Sequence, residues 1–124
     1  MIEGLYQALS LSTLLYLTLG VMIGMVVGTL PGLTATMGTA LLVPFTFALP
    51  TGEGIAMLGG LYVCAMFSDA IPACLVNTPG TPAAMATAFD GHPMTLQGRG
   101  QEAIVASCFS SALGTVFGAG CYLL

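Results

Sequence analysis

Apolar positions run almost unbroken along this chain, and polar positions collect at a few places marked by proline and glycine. Residues 12–30, STLLYLTLGVMIGMVVGTL, carry no charge. At about 1.5 Å per residue they make a helix of about 28 Å, close to one hydrocarbon core. The next apolar run, 33–49, has about fifteen suitable residues and is interrupted by Pro44, so it predicts a half-helix or re-entrant segment. Pro50-Thr51-Gly52-Glu53-Gly54 predicts a turn. Residues 55–76 and 101–124 predict two further spans, and residues 1–11 a short interfacial lead-in. The apolar runs are continuous, which excludes a membrane β-barrel with its short alternating strands. The expected fold is all-α: a polytopic integral membrane protein, one membrane unit over residues 1–124, with Pro-Gly-broken helices.

The breaks carry the candidate chemistry. Pro31-Gly32 ends the first span, because proline removes a donor and glycine permits a left-handed turn. Thr34 or Thr36 then caps a new helix. The longest polar run is Asn77 to Met94, NTPGTPAAMATAFDGHPM, within a broken polar segment over 77–100. There Thr81 is a good N-cap with Pro82 at the favoured first position. Ala83 to Phe89 gives two turns, Asp90-Gly91 is the expected stop, and His92-Pro93 restarts the chain before Gln97 to Gly100 closes it. In lipid, broken backbone survives only where protein or a water-filled cavity satisfies it. Leu30-Pro31-Gly32 and Thr78-Pro79-Gly80 both precede threonine-rich helix starts. Two such starts, meeting near the middle of the membrane, can hold an anion through free N–H groups and hydroxyls. Thr34, Thr36, Asn77, Thr78 and Thr81 are the polar candidates. The competing reading is an ordinary polar loop between two membrane helices.

Composition narrows the class. The chain is 56% hydrophobic and 5% charged, against about 25% charged in soluble domains. A single basic residue, Arg99, faces five acids, which excludes nucleic-acid binding and polybasic attachment to lipid. The lone arginine weakly favours a cytoplasmic 77–100 segment. The four cysteines, Cys64, Cys74, Cys108 and Cys121, lie in apolar runs without a C-x-x-C pair, so they read as packing residues, with no metal or cofactor expected. Gly20, Gly24 and Gly28 stand four apart, a stripe for close helix packing. The N-terminus lacks the basic region of a signal peptide, so the first apolar segment is expected to be retained.

Asp69 lies deep within the 55–76 run, three residues before Pro72. A carboxylate there costs about 2.5–3.5 kcal/mol on insertion scales, which makes it a candidate coupling-ion ligand or proton carrier. Its structural alternative is to bond backbone groups freed by Pro72. Asp69 and Asp90 together also raise an intramembrane aspartyl hydrolase. Against it, Asp90 falls beside an expected helix stop. A non-transporting scaffold or gene fragment is a further alternative, since the chain stops at Leu124 without a polar exit.

Two stretches, Gly24 to Pro44 (GMVVGTLPGLTATMGTALLVP) and Asn77 to Met94, with Gly98 to Ala103 after them, resemble the large membrane subunit of the tripartite tricarboxylate transporters. The resemblance covers most of the chain from Gly20 onward and implies no enzyme. It implies the N-terminal portion of a longer, inverted-repeat, secondary-active importer in the bacterial inner (cytoplasmic) membrane. Carboxylates such as citrate would be the substrates and Na⁺ or H⁺ the coupling ion. The implied partners are a small membrane subunit and a periplasmic solute-binding protein. Pro31, Gly32, Asn77, Pro79 and Gly80 match the family's Pro-Gly segments and become pathway residues. The chain departs from the family at Phe67-Ser68-Asp69-Ala70, where many relatives have a Gly-Gly-Ser-like run, and at His92, where tyrosine is common. An acid at Asp69 implies an altered substrate or coupling ion.

Overall fold

The computed structural model describes residues 9–123. Apart from its last three residues, the expected lead-in over 1–11 lies outside them. The described residues form six helices and no strand: α1 Leu11–Thr29, α2 Ala35–Thr46, α3 Thr51–Ser68, α4 Ala70–Val76, α5 Pro82–Leu96 and α6 Gly100–Leu123. Among the described residues, three stretches are long and apolar enough to cross a membrane: Leu11–Thr29, Thr51–Val76 and Gly100–Tyr122. α2 has 12 residues, about 18 Å of helix, too short for a crossing.

α1 and α3 form the tightest pair, and the glycine stripe explains it. Gly20, Gly24 and Gly28 lie against Met57, Leu61 and Ala65 of α3, residues also four apart. A methyl group on any of the three glycines would run into α3 backbone. Gly60 answers from α3 against Leu17. Buried Ser68 ties the same seam with bonds from Oγ to the carbonyls of Gly24 (3.4 Å) and Cys64 (2.9 Å). Ala35, Leu61 and Ala65 form a small core here, bordered by Ile23 and Leu42. A second core joins Ala73 of α4 to Ala84 and Ala88 of α5. Most large apolar side chains point outward, as lipid-facing helices require.

Two local expectations are corrected. The turn expected at 50–54 is instead the first turn of α3. Pro50 sits at φ −54° and its carbonyl accepts from Gly54 N–H at 3.0 Å. Glu53 in that turn favours the positive helix end. The helix stop expected at Asp90-Gly91 does not occur, and α5 runs on through Pro93. Gly91 is helical and buried because Cys74 packs on it: an added Cβ would lie 2.5 Å from Cys74 Sγ. The left-handed glycine after α5 is Gly98, at φ +80°. Asp69 lies inside the Thr51–Val76 membrane-crossing stretch, as expected, at the step between α3 and α4.

Candidate functional site

The site is built where three helix ends meet. After α1, Leu30 leaves the helix and Gly32 turns at φ +91°. Thr34 caps α2, its Oγ1 accepting from Met37 N–H at 3.2 Å and bonding Thr36 Oγ1 at 2.8 Å. After α4, Asn77 takes the left-handed conformation (φ 56°, ψ 35°). The N–H groups of Asn77 and Thr78 both turn back to the Pro72 carbonyl. Thr81 then caps α5, accepting from Ala84 N–H at 3.4 Å, with Pro82 opening the helix.

The two starts touch. An added Cβ on Gly80 would lie 3.1 Å from the Leu33 carbonyl oxygen and 2.8 Å from Asp69 Oδ1. Only a residue without a side chain lets these segments approach so closely. Between them is a cavity of about 250 Å³ whose polar walls are Thr34, Thr36, Tyr62, Gly80 and Thr81. Ala35 and Ala83 complete the two helix starts at its edge. First-turn N–H groups have no intrahelical partner, so the walls combine hydroxyls with the positive ends of α2 and α5. That chemistry suits a carboxylate.

Asp69 anchors the arrangement from behind. It is 3% exposed. Its Oδ1 accepts from Gly80 N–H at 2.8 Å, and its Oδ2 accepts from Thr81 Oγ1 at 2.6 Å. The backbone group it satisfies belongs to the α5 start, eleven residues on, and not to the turn freed by Pro72.

The sequence candidates therefore divide. Thr34, Thr36, Gly80 and Thr81 meet in one cavity, with Asp69 bonded to its rim. Pro31 and Gly32 sit in the connector to α2, and Asn77, Thr78 and Pro79 in the connector to α5; none of the five lines the cavity. Tyr62 and Met66 were not singled out as site residues, yet both do. Their signal is spacing: seven and three residues before Asp69 on the α3 side, close to helical repeats.

Asp90 faces elsewhere. It lines a groove of about 490 Å³ between α5 and α6 with Thr87, Ser107 and Ser110, and no hydrogen bond links it to Asp69. His92 Nδ1 lies 3.3 Å from the Cys74 carbonyl at the end of α4, a packing contact that fixes α4 on α5. Arg99 pairs with Glu102 at the start of α6 through Nε at 2.9 Å. The cysteines are unpaired.

Comparison with known proteins assigns the chain. The model of the tripartite tricarboxylate transporter TctA family matches residues 14–124. The chain belongs to this family. TctA-family proteins are transporter subunits, not enzymes, which removes the hydrolase alternative. The chain is also 36% identical over 118 residues to an uncharacterised 52.8 kDa protein of the TAR-I ttuC′ 3′ region of Agrobacterium vitis, covering 95% of this chain and 22% of that protein. It is 37% identical over 107 residues to an uncharacterised protein of Methanocaldococcus jannaschii, covering 84% of this chain and 26% of that one. It thus spans about a quarter of the length of these two relatives. No solved structure matches it.

Proposed function

We propose that this chain is part of the membrane subunit of a secondary-active, cation-coupled importer of carboxylates. The observation that carries this reading is the cavity where the starts of α2 and α5 converge. It is lined by Thr34, Thr36, Tyr62 and Thr81, and the buried Asp69 carboxylate lies behind it. A carboxylate substrate takes the hydroxyls and free N–H groups, and Asp69 is the coupling-ion residue, for Na⁺ or H⁺. Pro31, Gly32, Asn77, Thr78 and Pro79 serve by steering the chain into the two helix starts.

The tripartite family name supports a small membrane subunit and a periplasmic solute-binding protein as partners, and hence a bacterial inner-membrane location. The relatives' greater length supports a larger transporter, built as inverted halves, of which this is one portion. The test is uptake of a carboxylate panel into proteoliposomes holding the full-length subunit and its partners, with Na⁺ and proton gradients imposed separately. Gradient-driven uptake that weakens on Thr81→Ala is the expected result. No uptake of any carboxylate under either gradient would contradict the reading and favour a non-transporting scaffold.

A further inference from the structure

Asp69 is a buried carboxylate within a membrane-crossing segment, and among the described residues no cation pairs with it. Arg99 is engaged by Glu102, and His92 faces the Cys74 carbonyl. The groups around Asp69 do not supply a charge either. The α5 start offers Gly80 and Thr81, and the segment before α2 offers the Leu33 carbonyl. On α3 the ionisable group at the same cavity is the Tyr62 phenol. An intramembrane carboxylate without a cation partner is the typical place for a transported proton.

The hydrogen bonds say what that proton would change. With Asp69 ionised, the Thr81 hydroxyl spends its single hydrogen on Oδ2 and accepts from Ala84 N–H. A hydroxyl has one donor and two acceptor positions. When Oδ2 gains a proton, the same 2.6 Å contact persists only with its direction reversed: Oδ2–H donates to Thr81 Oγ1. Thr81's own hydrogen is then released, and Thr81 lines the cavity. Oδ1 keeps its bond from Gly80 N–H throughout. One negative charge disappears from behind the cavity wall, and the wall gains one donor. The only covalent change is the new O–H bond on Asp69, its proton coming from bulk water.

We propose that Asp69 is a proton switch for anion binding, acting through Thr81: protonation reverses the Asp69–Thr81 hydrogen bond and turns the Thr81 hydroxyl to a substrate carboxylate. The switch rests on the carboxylate-site reading above and specifies its coupling ion as H⁺.

Asp69→Asn tests it, because the amide mimics the protonated state. Its oxygen accepts from Gly80 N–H and its NH₂ donates to Thr81 Oγ1. The probe is labelled citrate with the full-length transporter and its partners in proteoliposomes, over a series of pH values, with KM expressed on the fully ionised species. Wild-type KM should rise with pH, by up to about tenfold per unit. Asp69→Asn should show a low, pH-independent KM. It should keep citrate–citrate exchange but lose accumulation driven by a proton gradient. If Asp69→Asn fails to assemble, Thr81 carries the test. Thr81→Ala should raise KM at least about tenfold at low pH and progressively less at high pH, and Thr81→Ser should restore the wild-type profile. A wild-type pH profile in Asp69→Asn, or an equal loss at every pH in Thr81→Ala, would overturn the switch. Absence of citrate uptake by the wild type under any gradient would overturn the carboxylate reading itself, and the switch with it.

Discussion

Replacing Gly24 by alanine adds one methyl group to the seam between α1 and α3. That Cβ would press on the Leu61 carbonyl oxygen and lie 2.9 Å from Leu61 Cα. Carbon atoms rest at about 3.5–4.0 Å, so the helices must part by close to 1 Å. A gap of that size forfeits about a quarter to a half of the attraction of each contacting pair along the seam. The atoms in the way are backbone and cannot swing aside, so the overpacking cost of about 1–3 kcal/mol applies. Alanine also gains up to about 1 kcal/mol over glycine within a helix, which hides part of this cost. Gly59→Ala removes the ambiguity. Gly59 lies on α3 with nothing within 4 Å of an added Cβ, so it collects the helix gain without the clash. The two variants should therefore differ by about 1–3 kcal/mol, Gly24→Ala being the weaker. Thermal melts of the full-length protein keeping Cys74 as its single cysteine, followed by the reaction of a thiol dye with that buried thiol, report the difference. Equal midpoints for Gly24→Ala and Gly59→Ala would refute the close-packed seam.

Further outcomes follow from the connectors and caps. Gly80→Ala places a methyl 2.8 Å from Asp69 Oδ1 and 3.1 Å from the Leu33 carbonyl. It should cut carboxylate uptake strongly while the protein still assembles, as checked by uptake alongside size-exclusion profiles. Asn77 sits at φ 56°, so Asn77→Gly should keep both stability and uptake, whereas Asn77→Val should lose about 1–2 kcal/mol in the same thiol-dye melts. Loss of uptake in Asn77→Gly would instead assign its side chain to substrate. Thr34→Val removes the α2 cap and should cost about 1 kcal/mol, with a raised KM for citrate, because the same hydroxyl lines the cavity.

Much of this architecture was legible because a membrane enforces simple rules. Uncharged runs of about twenty residues become spans, and α1 and α6 lie within a residue or two of their apolar runs. Thr81 was legible as a cap, and Thr34 as one of two candidates with Thr36, because helix starts need a side-chain acceptor. The errors arose where a glycine or proline had a tertiary use. Gly91 looked like a helix stop, but its missing side chain makes room for Cys74. Pro50 and Gly54 looked like a turn, but proline's preset φ opens α3 and Gly54 packs beside Thr46. Spacing puts Tyr62 on the helix side of Asp69, but that this side meets the cavity depends on how the glycine stripe seats α1. The bonds from Gly80 and Thr81 to Asp69 join residues eleven and twelve apart across a left-handed turn at Asn77, a path that no periodicity encodes.

The central claim is that a carboxylate occupies the cavity between the starts of α2 and α5. Thr36 is exposed on its wall. The most direct test is therefore the rate at which a membrane-impermeant thiol reagent labels Thr36→Cys in a full-length protein lacking its native cysteines. Citrate should slow that labelling in a concentration-dependent way, with half-protection near the KM for uptake, while a neutral polyol of similar size has no effect. Labelling that citrate leaves unchanged, in protein that still transports it, would place the substrate elsewhere and contradict the account.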